Sequence, residues 1–253
     1  MGAFSLTLFL RKGKLKRADS CLIVACNEVE GGFKKGTSNM KLSSFLRKEK
    51  LKRGIFISFE GIEGAGKTTQ SERLATALGP DVVLTREPGG TPISERIRDI
   101  FLASDNITPM TELLLIAAAR TQHVDELIRP ALDANRTVIC DRFIDATVAY
   151  QGYRGGIDLS FIHQLNHVAT GGLTPDITFI LDLPPEIGTS RQQHAEIARD
   201  RLDKESLASH RKVRTGYLSV AKANPHRIKV IDATQSPDAI HAEVLAEYED
   251  YTW

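Results

Sequence analysis

Short apolar runs alternate along this chain with longer stretches in which apolar residues recur every three or four positions. Runs of strand length fall at residues 55–59, 81–84, 137–140, 177–183 and 228–231. Leu74, Ala77 and Leu78 follow the first run at helical spacing. Pro92 then opens a helix with Ile93, Ile97, Ile100 and Phe101 on one face. Thr108-Pro109 starts another that continues through Glu112 to about Ile128, before Pro130; its middle, LLLIAAA, is apolar nearly all round and predicts a central helix. Ser160 caps a helix carrying Phe161, Ile162, Leu165 and Val168, residues 204–223 form a polar-rich helix, and Ser236-Pro237 begins a last one with Ile240, Val244, Leu245 and Tyr248. Strands alternating with helices predict an α/β fold, with a five-stranded parallel sheet flanked by helices on both faces. One stretch breaks the pattern. Residues 186–201 are polar, hold Arg191, Arg199 and Arg201 and lack an apolar face, which suits either a short mobile lid over phosphates or an exposed helix.

The first run leads directly into a glycine-rich turn: residues 55–69 read IFISFEGIEGAGKTT. Gly61, Gly64, Gly66, Lys67 and Thr68 fit G-x-x-x-x-G-K-[ST], and the strand before and helix after supply the context of a phosphate-binding loop. Glycines let the backbone take angles that a Cβ obstructs and turn N–H groups inward at phosphate oxygens. Gly61, Gly64, Ala65, Gly66, Lys67, Thr68 and Thr69 are therefore the candidate nucleotide-phosphate-binding residues, with Lys67 reaching the β- and γ-phosphates and Thr68 placing its hydroxyl on Mg²⁺. The second strand ends in TREPGGT at residues 85–91, where Arg86 meets a phosphate or makes a surface ion pair. Asp141 closes the third strand, as a second Mg²⁺ ligand or a cap of the following turn. Arg120, beside the apolar LLLIAAA, either reaches into a cavity or escapes to solvent; the second is the favoured reading.

Charge changes the picture of the N-terminus. The net charge of +1 hides 13 basic against 4 acidic residues in 1–53, so the remaining 200 residues carry a balance of −8, which argues against a nucleic-acid-binding core. The leader has its apolar segment before its basic run, the reverse of a secretory signal. A disordered or over-extended N-terminus with Met40 as start, a targeting segment and a basic interaction arm all remain open for it. Residues 54–253 form the expected catalytic domain. No run approaches 18 apolar residues, which disfavours membrane spans. Cys21, Cys26 and Cys140 show neither metal spacing nor a disulfide framework, and Cys140 reads as a small buried strand residue, so a cytoplasmic location is expected.

The phosphate loop, TREPGGT, Ala119-Arg120, Asp141-Arg142-Phe143, Ala149-Tyr150-Gln151-Gly152 and Asp200-Arg201 with Glu205-Ser206 occur together in one order. In this combination the chain resembles bacterial thymidylate kinases from about Gly54 to Tyr248. The resemblance implies the P-loop three-layer sandwich, a homodimer, and transfer of the γ-phosphoryl of ATP to dTMP with Mg²⁺. It implies that Arg86 and Arg142 clamp the acceptor phosphate, that Arg120 bonds the thymine edge, and that Tyr150 packs where a 2′-hydroxyl would sit. Ile116, Thr147 and Gln151 join the acceptor site, Glu63 lies near sugar and metal, and Arg191 is the candidate transition-state cation. Ile116 replaces the family's usual stacking Phe and Ala146 a frequent Ser, so a kinase for another nucleoside monophosphate or a deoxynucleoside stands as an alternative, and a lid poor in arginine, with Gln192, Gln193 and His194 after Arg191, favours a non-catalytic nucleotide-binding regulator as another.

Overall fold

The structure is a computed structural model, and it describes residues 53–104, 106–194 and 206–252. Expectations on residues 1–52, on Arg199, Asp200 and Arg201, and on the segment after His194 lie outside the described residues.

In chain order the elements are β1 (Phe56–Glu60), α1 (Lys67–Leu78), β2 (Val83–Arg86), α2 (Pro92–Ala103), α3 (Pro109–His123), β3 (Val138–Asp141), α4 (Ile144–Thr147), α5 (Leu159–Thr170), β4 (Ile177–Asp182), α6 (Pro185–His194), α7 (Leu207–Ala223), β5 (Ile228–Asp232) and α8 (Pro237–Thr252). The five strands form one parallel sheet in the order β2-β3-β1-β4-β5. β1 is buried throughout, as a parallel strand covered on both faces must be. Its residues alternate between two cores. Ile57 and Phe59 pack with Leu74, Leu113, Phe179 and Tyr217, whereas Phe56 packs with Val124, Ile128, Val138 and Phe143. The chain runs from β1 past the β3 position to β2 before returning, so the strand order, not the strand direction, reverses between β1 and β3. Their C-terminal ends, Phe59 beside Asp141, open onto the crevice where such sheets bind ligands.

Several boundaries differ from the sequence expectation for identifiable reasons. β2 begins two residues late because Val82 still donates to Gly79 in a turn, and pairing starts where Val83 donates to Thr137. The helix expected to stop before Pro130 runs on: α3 passes through a π-helical segment, Val124–Ile128, into Arg129–Asp133. Pro130 follows directly on the π-helical segment, inside this continuous helix. α5 is capped by Asp158, whose carboxylate accepts from Phe161, not by Ser160. The expected apolar face of α2 is only partly buried: Phe101 is covered, but Ile93 and Ile100 are half exposed. Nor is α3 central all round, since Leu114 is also half exposed. Arg53, placed with the leader, belongs to the folded unit through two 2.9 Å bonds to Asp176.

Candidate active site

The loop between β1 and α1 owes its shape to glycines at positive φ. Gly64 (φ 75°) could not carry a Cβ without meeting the Gly188 carbonyl oxygen at 2.4 Å; Gly66 (φ 92°) forms the left-handed entry to α1. The close approach at Gly64 lets the first turn of α6 lie on the loop. Arg191, one turn further along α6, thereby lines the cleft.

That cleft has a volume of about 1090 Å³. All the residues expected in the site line it except Gly61, which sits at the root of the loop and accepts from Arg142. Lys67 is buried and donates to the Ile62 carbonyl at 2.8 Å. Burial, and then the positive charge of Arg142, lowers its pKa from 10.5 to about 8. Thr68 donates to Asp141 at 2.6 Å. Two oxygen ligands, one from the first turn of α1 and one from the end of β3, thus meet beside the loop, a set suited to a hard cation such as Mg²⁺. Asp141 makes this contact rather than capping the following turn.

Arg142 follows β3 with φ 71°, a left-handed conformation that non-glycine residues rarely hold outside functional sites. Its guanidinium meets the Gly61 carbonyl, the hydroxyls of Tyr150 and Tyr217, each at 3.2 Å, and Glu63 at 3.0 Å. The Tyr150 hydroxyl also donates to Glu63 at 2.5 Å. Burial alone would raise the Glu63 pKa; Arg142, His210, Lys67 and Tyr150 outweigh it and hold the carboxyl well below the usual range.

Arg120 corrects the favoured reading: it is buried, not turned to solvent. Its Nε donates to Glu87 at 2.7 Å, and its terminal nitrogens donate to Asn166 at 2.7 Å and to the Phe143 carbonyl at 3.0 Å. His123 adds a 3.1 Å contact to Glu87 and one of 2.7 Å to Thr85. Arg86 stands exposed at the cleft and makes a surface ion pair with Glu95 at 3.1 Å. Ile116 and Thr147 are buried where they line the cleft, and the Thr147 hydroxyl has no partner among the described residues. Gln151 donates to Glu112 at 2.6 Å, and Arg154 pairs with the same carboxylate.

Sequence reasoning missed the carboxylates and their holders: Glu60, Glu87, Glu112, Asn166, His210 and Tyr217. Glu60, fully buried, accepts from the Phe143 N–H and the Tyr217 hydroxyl. Burial, with the nearby charge of Asp145, raises its pKa from 4.5 to about 8. Glu60 and Glu87 were visible as charges beside apolar strands, the one available signal. Tyr217 and His210 lie far along the chain and carried none.

Residues 59–244 match the family model for thymidylate kinase. Curated relatives named thymidylate kinase include one from Syntrophotalea carbinolica, 52% identical over 196 residues that span 74% of this chain and 91% of that protein. Another, from Latilactobacillus sakei, is 51% identical over 199 residues, spanning 76% of this chain and 93% of the relative. The crystal structure of thymidylate kinase from Ehrlichia chaffeensis superposes with a TM-score of 0.64 at 40% identity, covering 77% of this chain and 98% of that one.

Proposed function

This chain belongs to the thymidylate kinase family, and from that premise we propose how its cleft carries out the family's reaction. The enzyme transfers the γ-phosphoryl group of ATP to dTMP, giving dTDP and ADP. The observation that best supports the residue assignment is convergence. One cleft is lined by the phosphate loop from Glu63 to Thr69, by Arg86 and Arg142, and by Arg120 with Ile116, Thr147 and Gln151.

Phosphoryl transfer asks for alignment and charge neutralisation more than covalent help. The loop amides and Lys67 hold the ATP phosphates; polyphosphate restores the ammonium that burial has weakened. Thr68 and Asp141 would hold Mg²⁺, which when bound supplies positive charge to the phosphate oxygens. Glu63 and Tyr150 keep the Arg142 guanidinium at the centre of the cleft, where it takes the acceptor phosphate. Arg86 exchanges Glu95 for that phosphate, a low-cost step because an exposed pair contributes little. Arg120, fixed by Glu87 and Asn166, faces the base, and the unpartnered Thr147 hydroxyl offers it a further bond. Arg191 approaches the transferring group from α6.

The working unit is a homodimer. α2, α3 and α5 pack in sequence and leave the large apolar side chains Ile93, Ile100, Leu114, Phe161 and Val168 exposed, the last at 74%, which a second copy of the chain would cover. Among the described residues no helix is long and apolar enough to cross a membrane. We place the enzyme in the cytoplasm, with the catalytic domain beginning at Arg53 and no nucleic-acid partner.

The test is ADP release by the purified chain with ATP and Mg²⁺ against dTMP, dUMP, UMP, dGMP and thymidine. Selective release with dTMP, lost in Lys67→Ala, is the expected result. Equal rates with every acceptor, or none, would overturn the assignment.

A further inference from the structure

α7 presents a buried face made of His210, Val213 and Tyr217, spaced at helical intervals. A histidine among such neighbours loses hydration unless a polar group faces it. Here the facing group belongs to the phosphate loop: His210 Nδ1 lies 3.3 Å from Glu63 Oε2, with both side chains buried. The two oxygens of Glu63 differ in their surroundings. Oε1 receives Arg142 and Tyr150, whereas Oε2 is buried and makes no well-formed hydrogen bond among the described residues, with His210 the donor standing closest to one. Two turns along the same face, Tyr217 donates to Glu60 and receives Arg142. One helix therefore touches both buried carboxylates, Glu60 and Glu63, that bracket the start of the phosphate loop.

We propose that His210 is a positioning residue for phosphoryl transfer, acting through Glu63. Its Nδ1, 3.3 Å from Oε2, limits the turning of the carboxylate so that Oε1 stays on Arg142 and Tyr150. Arg142 in turn is held where the acceptor phosphate arrives. The contact also ties α7, the helix that follows residues 195–205, to the loop that carries ATP. A misaligned Arg142 slows the chemical step more than it weakens nucleotide binding, because the loop amides hold ATP independently of Glu63.

This inference rests on the kinase reading of the cleft, and the experiment separates the two. Steady-state ADP release is measured for wild type, His210→Phe, His210→Asn, His210→Gln, Glu63→Gln and the Phe/Gln double variant, with thermal melting of each. His210→Phe lowers kcat roughly tenfold while KM for ATP stays within about twofold. His210→Asn, whose amide nitrogen falls near the place of Nδ1, regains most of the lost rate. His210→Gln, whose nitrogen falls near Nε2 instead, does not. Adding His210→Phe to Glu63→Gln slows the enzyme no further. Wild-type turnover in His210→Phe, losses that multiply in the double variant, or equal rates in the Asn and Gln variants would each overturn the proposal. Should the Phe variant fail to fold, the Asn and Gln contrast decides alone. A wild type without dTMP-dependent ADP release would instead overturn the kinase reading.

Discussion

Replacing Arg120 by Met tests how much the part of the cleft around it depends on one buried ion pair. The methionine fills most of the volume but removes three donors at once. Glu87 then remains with both oxygens buried and only His123 to face it, and Asn166 Oδ1 and the Phe143 carbonyl lose the bonds they accept. Breaking a buried pair from one side costs about 3–5 kcal/mol, because the surviving charge keeps its desolvation penalty without its partner. For a domain of this size each kcal/mol moves Tm by roughly 2–4 °C, so a fall of about 10 °C is expected in ligand-free protein. Scanning calorimetry at neutral pH measures it. Adding Glu87→Gln to the variant removes the stranded charge and recovers several degrees, even though that change alone damages the wild type. A Tm within about 3 °C of wild type, or a double variant less stable than Arg120→Met, would refute the claim that the pair holds this part of the fold together.

Further outcomes follow from the loop and its neighbours. Gly64→Ala destabilises the ligand-free protein clearly more than Gly66→Ala, because the first meets the Gly188 carbonyl while the second has open space and costs only the left-handed strain of about 1–2 kcal/mol; equal melting temperatures would contradict the contact. Lys67 loses its proton above pH of about 8, so ATP affinity falls as pH rises past that value, and binding near pH 8.5 takes up protons. Titration calorimetry in buffers of different ionisation enthalpy detects the uptake, and a heat independent of buffer would count against it. Glu60, with its folded pKa raised, contributes stability that is complete below about pH 4.5 and is lost progressively as pH rises to about 8, a change of a few kcal/mol at 1.36 kcal/mol per pKa unit. Glu60→Gln removes that dependence, so urea midpoints at pH 5 and pH 9 shift in wild type relative to the variant; parallel profiles would show that Glu60 ionises normally.

What the amino-acid sequence settled about this protein is what local chemistry can settle. The turn from Gly61 to Lys67 was legible because it is built from consecutive residues whose backbone angles depend on their own glycines. Pro92 and Pro109 open helices for a similar reason, their fixed φ suiting a first turn, and the strands that Asp141 and Asp182 close are runs too apolar to lie anywhere but inside. Arg120 could not be read in this way: the apolar helix around it suggests escape to solvent, and only the fold brings Glu87 and Asn166 to its guanidinium. Ile93 and Ile100 have helical spacing but stay exposed, because periodicity marks a face without saying what covers it. Glu63 shows its acidity in the loop, yet its working state is set by Arg142, Tyr150 and His210, which are 79, 87 and 147 positions away. Charge neutralisation acts through space, so the direction of each buried ionic side chain was decided by the tertiary structure alone.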